Sequence, residues 1–382
     1  MADSTSAPTA TDGTTAAPKV DIPSTTRAGC VVNPGPDFSV TLKDDIKTPS
    51  PGPSEVLIKL THTGICYSDL HYMLEDLPSL HMKTQYGIDS PGHEGIGHVV
   101  ALGSNVAKES VPEIKLGDRV GLKPVWSSCG MCELCCDERE MYCVKSVQTG
   151  LHVAGTYQQY VLGRMEHVVR IPDGVDGSVA APVMCAGATI YRGITEAGLK
   201  PGQWVIFSGA GGGVGHMGVL YAKAMGMRVI AIDGGADKGK MCLSIGADHF
   251  IDFLETPDLV SEVQKLTDGL GAHGLIVTAS SSKAYVGGLA LLRTSGVMMC
   301  IGIVPVTDIP SVADPLSLLG GNKKVMGTIV GTRSDARKAL DYCARGLVKP
   351  HVTEYSWSQL PEAVDKLRKG QVAGRCVVKF DD

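Results

Sequence analysis

The chain has 382 residues, 43% of them hydrophobic, enough for a real core and about two domains. A net charge of −5, with no run of five or more like charges, argues against nucleic-acid binding by phosphate neutralisation. No stretch approaches the ~18 apolar residues that a membrane-spanning helix needs, so a soluble protein without a membrane partner is expected.

Residues 1–27 are rich in Ser, Thr, Ala and Pro and poor in large apolar side chains. Such a segment cannot bury enough surface to offset its ordering entropy, and it reads as a disordered tail. It lacks the apolar stretch of a signal peptide and has too few arginines for a transit peptide. Twelve cysteines without a secretory signal then point to a reducing, cytoplasmic setting, with thiols used as ligands or core residues.

Between 28 and 183 the apolar runs are short and punctuated by Gly and Pro: VLIKL, GHVVALG, DRVGL, QQYVLG, HVVRIP. This predicts a β-rich domain of sharply turned strands. Over 184–322 strands alternate with helical segments. WVIFSGA precedes VGHMGVLYAKAMG, RVIAID precedes KGKMCLSIG, HFIDF precedes the segment 257–268, and LIVTAS precedes a helix over SKAYVGGLALLR; VMMCIGI closes the series. Repeated strand-then-helix units with near-continuous apolar strands imply a doubly wound parallel sheet. Residues 323–382 return to mixed character and end in GRCVVKF, a strand that rejoins the first domain. The fold class is therefore α/β, with a ligand cleft between two lobes.

Five motifs carry the chemistry. GICYSDLH, PGHEGIGH and PVMCAG offer Cys66, His93 and Cys185, the ligand types of an open Cys₂His zinc site, although no local spacing links them. A lone cysteine in an apolar run is also an ordinary core residue. CGMCELCCDEREMYC is more specific. Cys129, Cys132, Cys135 and Cys143 supply four thiolates on a polar excursion that has no apolar face. An iron–sulfur run places its fourth cysteine after three residues with proline next, so a closed zinc site fits better; disulfides are the alternative. Cys136 breaks the x₂ spacing and reads as a surplus free thiol.

The fifth motif, SGAGGGVGHMG, lies between a predicted strand and a predicted helix, where a glycine turn suits a pyrophosphate. The strict G-x-G-x-x-G does not occur; the nearest fits are Ala210-x-Gly212-x-x-Gly215 and a turn with one inserted residue that starts at Gly209. RVIAID ends in Asp233, a carboxylate placed to accept hydrogen bonds from an adenosine ribose and to repel a 2′-phosphate, which favours NAD over NADP. The alternative has Asp233 capping the next helix. Lys238, one turn on, is a second ribose candidate or an exposed helix lysine.

Together with YQQYV, CAGATIYRGI, DGLGAHG, ALDYCARGLVK and VAGR, these motifs resemble the zinc-dependent medium-chain alcohol dehydrogenases, most closely their fungal (yeast-type) branch, from about residue 28 onward. The resemblance implies a GroES-like catalytic domain beside a Rossmann coenzyme domain, with two zinc ions per chain. Cys66, His93 and Cys185 match the catalytic zinc ligands, and the four-cysteine lobe matches the structural zinc site. Glu94 matches a carboxylate able to reach the metal, and Asp69 matches the one that orients the histidine ligand. Ser68 resembles a hydroxyl relay that passes the alcohol proton through the nicotinamide ribose to His71 near solvent. Arg375 matches an arginine on the pyrophosphate. Tyr67, Thr189, Gly212, Gly213, Val214, Gly215, Ile301 and Ile303 complete the expected cofactor set, and a homotetramer is the family's common assembly.

Three positions depart from that pattern. Tyr67 replaces a histidine near the cofactor phosphates, keeping a donor but no positive charge. Leu77 and Pro124 stand where close relatives carry pocket-narrowing tryptophans, so a pocket wider than ethanol needs is expected, with the neighbouring Trp126 able to compensate. The competing readings are an NADP-dependent reductase of bulky aldehydes, disfavoured by Asp233, and a non-catalytic zinc scaffold, disfavoured by the intact Cys66/His93/Cys185 set.

Overall fold

The computed structural model describes residues 21–381, apart from 111, 112 and 305. Positions 1–20 of the expected tail lie outside the described residues, and its end needs correction. Strand β1 (Thr25–Val32) already contains Thr25, Thr26 and Arg27. Thr26 is buried, and the Arg27 guanidinium lies over the rings of Trp357 and Phe380, so the C-terminal segment orders this stretch.

β1 pairs antiparallel with β2 (Ser39–Lys47). β3 (Glu55–Ile65) contains VLIKL and leads directly into helix α1 (Tyr67–Leu74). β4 (Gly95–Leu102), α2 (Val106–Glu109), β5 (Arg119–Gly121) and β6 (Val125–Ser127) follow. After α3 (Glu133–Cys136) come β7 (Val147–Gln148), β8 (Tyr160–Arg164) and β9 (Val169–Arg170). β6 and β7 form a separate two-stranded pair.

A helical stretch made of α4 (Gly177–Pro182), a π turn (Val183–Gly187) and α5 (Ala188–Glu196) crosses to the second lobe. There the chain alternates as expected: β10 (Trp204–Ser208), α6 (Gly215–Ala224), β11 (Arg228–Asp233), α7 (Ala236–Ser244), β12 (His249–Asp252), α8 (Leu259–Leu266), β13 (Ala272–Val277) and β14 (Leu292–Cys300). The helix expected over SKAYVGGLALLR does not form. Two short 3₁₀ turns, Ser282–Ala284 and Gly288–Leu291, replace it, separated by Gly287 at φ +71°. Adjacent glycines outweigh the apolar periodicity that suggested a helix.

The parallel sheet also runs past the expected boundary at 322. After α9 (Pro315–Gly321), β15 (Lys324–Gly327) pairs with β14, giving the order β12-β11-β10-β13-β14-β15. α10 (Arg333–Ala344), β16 (Val352–Ser356), α11 (Leu360–Arg368) and β17 (Arg375–Lys379) close the chain. β17, the strand of GRCVVKF, inserts between β3 and β16 and so rejoins the first lobe's sheet, ordered β16-β17-β3-β4-β5-β9 with β8 also on β3. One apolar core joins Ile96, Val169 and Val377 of the first sheet to Phe207, Met217 and Leu340 around the second. Each such fully buried side chain contributes roughly 1.5–3 kcal/mol, so the two lobes hold a fixed relation and the cleft inherits it.

Candidate active site and metal centres

Cys66 occupies the N-cap of α1 in extended conformation, and Asp69 Oδ2 accepts its backbone N–H at 2.9 Å. The same fully buried carboxylate accepts from Gly92 N at 3.2 Å and from the Tyr157 hydroxyl at 3.1 Å. Its Oδ1 lies 2.7 Å from His93 Nδ1, which leaves Nε2 of that ring for the cluster. One aspartate thus caps a helix and orients a histidine. Tyr157 was not anticipated, because nothing in its own segment signals a partner 88 residues away.

Cys185 sits within the π turn, immediately after a stretch where Pro182 offers no backbone N–H. Its Sγ is 4.0 Å from Cys66 Sγ, and a nitrogen of His93 and an oxygen of Glu94 complete a group within 4.8 Å. All four residues are buried. A tetrahedral zinc with ~2.3 Å bonds to sulfur has an S–S edge of about 3.8 Å, so the donor set fits zinc. A disulfide needs about 2.05 Å, and every cysteine is free. The two thiols are electrostatically linked. The hydrogen bond from Cys185 holds Cys66 well below the ordinary thiol range, and the same bond together with burial pushes Cys185 up.

Arg375 was expected on a pyrophosphate. In the structure its buried guanidinium binds both carboxylate oxygens of Glu94. Burial pushes the Glu94 carboxyl up against the pull of this arginine. Nη1 still faces the glycine turn, where a Cβ on Gly213 would come within 2.9 Å of it. The arginine therefore links the cysteine–histidine group to the nucleotide side of the cleft.

Of the two registers considered for that turn, the one starting at Gly209 makes the bend. Gly209 has φ +80°, and a Cβ there would meet Ala279 N at 2.8 Å. Gly215 opens α6 so close to the Gly209 carbonyl that a Cβ there would collide with it, and Gly212, Gly213 and Val214 lie between. Asp233 does not cap α7. It is buried, with Oδ2 accepting from Gly211 N at 2.8 Å and Oδ1 from Gly234 N at 2.8 Å and Lys238 Nζ at 2.9 Å. Thr189 is buried in the first turn of α5. Ile301 donates its N–H to Val277 O at 3.1 Å, which carries Ile301 and Ile303 past the carboxyl ends of β13 and β14. The strand order reverses between β10 and β13, where a parallel sheet opens its binding crevice. The small residues, the helix N-terminus and the acidic strand end fit a dinucleotide. His216 was missed: fully buried, it places Nδ1 3.0 Å from Gly212 O, while Nε2 accepts from His351 N at 3.2 Å, and burial pushes it down to about 4.

Ser68 Oγ lies 3.8 Å from Cys66 Sγ. His71, expected near solvent, is instead on the buried face of α1, with Nδ1 2.7 Å from Asp76 Oδ1. Tyr67 is exposed and meets His71 edge-on, ring centroids 5.2 Å apart. Leu77 and Pro124 are both buried. Trp126 donates its indole N–H to Leu162 O at 3.1 Å beneath the Arg164 guanidinium, so both partners of the indole belong to β8.

The four predicted lobe cysteines also meet, with Cys129 and Cys135 sulfurs 3.9 Å apart and all four within 4.8 Å. Cys136 is exposed and outside the group. Backbone N–H groups of Met131 and Cys132 converge on Cys129 and lower its thiol to about 6, a setting that suits a metal-bound thiolate. The lobe docks on the rest of the chain through Arg192 Nη1 on Glu138 O at 3.2 Å and Arg333 N on Glu140 Oε1 at 3.1 Å. Val125, Met141 and Val330 pack beneath it.

Residues 52–173 match the alcohol dehydrogenase GroES-like domain family, and residues 213–345 match the zinc-binding dehydrogenase family. The chain is 40% identical over 338 residues to alcohol dehydrogenase 1 of Emericella nidulans, covering 88% of this chain and 93% of that protein. It is 39% identical over 335 residues to the alcohol dehydrogenase of Schizosaccharomyces pombe, covering 88% and 92%. Among solved structures it superposes on the acetophenone reductase of Geotrichum candidum in complex with NAD, with a TM-score of 0.78, 27% identity, and 94% and 98% of the two chains covered. A GroES-like lobe, a doubly wound sheet and this degree of likeness to fungal enzymes place the chain in the zinc-dependent medium-chain alcohol dehydrogenase family, on its fungal branch.

Proposed function

We propose that the protein interconverts an alcohol and its aldehyde or ketone by NAD-linked hydride transfer at Cys66, His93 and Cys185. A second zinc, held by Cys129, Cys132, Cys135 and Cys143, would act as a structural clasp. The observation that carries the reading is the bridge from the Cys66/His93/Cys185 group through Glu94 and Arg375 to Gly213, which sets a metal-type donor set beside a nucleotide-type turn. When bound, zinc supplies a Lewis acid that lowers the pKa of an alcohol, and the nicotinamide supplies the hydride acceptor.

The chain's own side chains do the positioning. Asp69 fixes the His93 ring, and Arg375 balances the Glu94 carboxylate in a site closed to water. Ser68 and His71 take the alcohol proton. Asp233, its carboxylate already held by Gly211 N and Lys238, presents the acidic group that favours a 2′-hydroxyl over a 2′-phosphate. The Geotrichum relative, solved with NAD, supports the same cofactor. With Leu77 and Pro124 in place of larger side chains, the pocket accepts substrates bulkier than ethanol.

Assembly into a homo-oligomer is part of the proposal. β15 forms one edge of the parallel sheet with all four residues exposed, and the adjoining α9 leaves Leu316 and Leu319 about four-fifths exposed. An apolar open edge of this kind favours pairing with a second chain. Twelve cysteines without a disulfide among the described residues support a reducing, cytoplasmic setting. A panel of alcohols and aldehydes with both cofactors tests the whole reading. Higher kcat/KM for benzyl alcohol than for ethanol, with NAD preferred, is expected; preference for NADP with bulky aldehydes would replace it, and a clear preference for ethanol would remove the wide pocket.

A further inference from the structure

We propose that the Tyr72 hydroxyl is a specificity determinant that donates a hydrogen bond to a second oxygen on the substrate. The enzyme then favours alcohols and aldehydes that carry an ether, hydroxyl or carbonyl group besides the reacting one. The inference rests on the reading of Cys66, His93 and Cys185 as the reacting centre and names the substrate class of that site.

Tyr72 lies in α1, four residues after Ser68. Residues four apart share a helix face, so Tyr72 continues the face of Ser68 one turn further on. Ser68 Oγ, 3.8 Å from Cys66 Sγ, marks that face as the one turned to the cysteine–histidine group. The opposite face, with Leu70 and Met73, is buried in the first lobe's apolar core, and the half-buried Tyr72 packs at the margin of that core. Its ring meets the His93 ring edge-on, with centroids 6.3 Å apart and planes at 60°.

The charges around the hydroxyl agree with this placement. Burial pushes the Tyr72 phenol up, and the negative charges of Asp69, Cys185 and Cys66 push it further. Cys185 comes from the π turn and Cys66 from the start of α1, so a group that feels both stands before the gap where they meet. The phenol therefore keeps its proton and has an O–H to donate. That hydroxyl makes no hydrogen bond among the described residues. A donor left open in a cleft meets either water or a ligand. Leu77 and Pro124 carry no side-chain donor, and the Trp126 indole N–H is already spent on Leu162 O. A hydrocarbon substituent at Tyr72 displaces water without replacing its hydrogen bond, whereas a substrate oxygen replaces it. The direction of the preference follows from that difference.

The test uses the zinc-loaded full chain, as wild type and Tyr72→Phe, with substrate pairs of nearly equal shape. Each of 2-, 3- and 4-methoxybenzyl alcohol is compared with the corresponding ethylbenzyl alcohol in NAD-linked oxidation. The readout is the methoxy-to-ethyl ratio of kcat/KM. Ring electronics act equally in both proteins, and any unfolded fraction of the variant cancels in the ratio. For one ring position the ratio should be about 3–10-fold higher in the wild type than in Tyr72→Phe. Calorimetry of the same alcohols binding in the presence of NADH, where no hydride can move, should show the same methoxy preference in Kd. That wild-type measurement decides alone if Tyr72→Phe does not fold: equal Kd values within all three pairs would overturn the proposal. A ratio that Tyr72→Phe leaves unchanged at every ring position overturns the role of Tyr72 while the reaction itself stands. If the wild type oxidises none of these alcohols, the reading of the reacting centre falls and takes this inference with it.

Discussion

Cys66, His93 and Cys185 come from three distant segments and are all buried, whereas Cys129, Cys132, Cys135 and Cys143 come from fifteen consecutive residues, and among these four cysteines only Cys143 is buried. The first group assembles only after β3, the Gly92 turn and the π turn have met, and fixed charges surround it: Asp69, Glu94 and Arg375. The second closes a polar loop that has little core of its own and touches the fold through a few hydrogen bonds and three apolar side chains. A scattered, buried, charge-framed group suits preorganised chemistry, while a local, half-exposed group suits cross-linking. Abundance of thiols is thus a poor guide to where the reaction occurs.

The comparison is broken most easily at the charge frame. Arg375→Met strands a buried Glu94 and should cost about 3–5 kcal/mol in urea unfolding. A loss below about 1 kcal/mol would mean that the frame does not support the buried group. On the other side, Cys135→Ser should remove one zinc and lower stability by on the order of 2–4 kcal/mol, with the lobe loosening first. Unchanged zinc content would take Cys135 out of the clasp.

Acid probes a support that belongs to neither group. His216 is held at about 4 in the fold against an ordinary 6.5. Between those values the unfolded chain binds a proton that the folded chain refuses, so stability falls as pH drops from 6.5 to about 4 and the effect levels off below. Relative to His216→Gln, the wild type should lose an extra 1–3 kcal/mol or so across that window. Parallel pH curves would contradict the buried neutral ring. Smaller still, Tyr157→Phe removes one hydrogen bond from Asp69 and should cost about 1 kcal/mol, measured by thermal melting. Cys136→Ser should change zinc content not at all and stability by less than about 0.5 kcal/mol; a drop there, with Cys135→Ser harmless, would exchange the roles of the two cysteines.

Much of the architecture was legible in the sequence because period and punctuation are local properties. RVIAID and WVIFSGA announce buried parallel strands, and the glycine turn between strand and helix announces its own bend at Gly209. Local signals failed where tertiary context decides: the helix expected over 282–293 yields to Gly287, β15 extends the sheet beyond 322, and Arg27 is ordered by Trp357. The site divides along the same line. The lobe's spacing is readable within fifteen residues, but Cys66, His93 and Cys185 have no mutual spacing, and only the family resemblance grouped them. Asp76, Tyr157 and His216 escaped notice because their roles follow from hydrogen bonds that the chain order does not encode. Arg375 was assigned one partner and has two neighbours, since a sequence motif cannot say which anion a buried guanidinium meets first.

The central claim is that the buried group performs the reaction and the cysteine lobe only holds the chain. Zinc per chain, measured together with NAD-linked benzyl alcohol oxidation in Cys185→Ser, tests it most directly. The account predicts that zinc falls from two to about one, that the melting temperature stays within a few degrees of wild type, and that turnover drops by at least ~10³-fold. Two zinc ions with near-native turnover in that variant would contradict it.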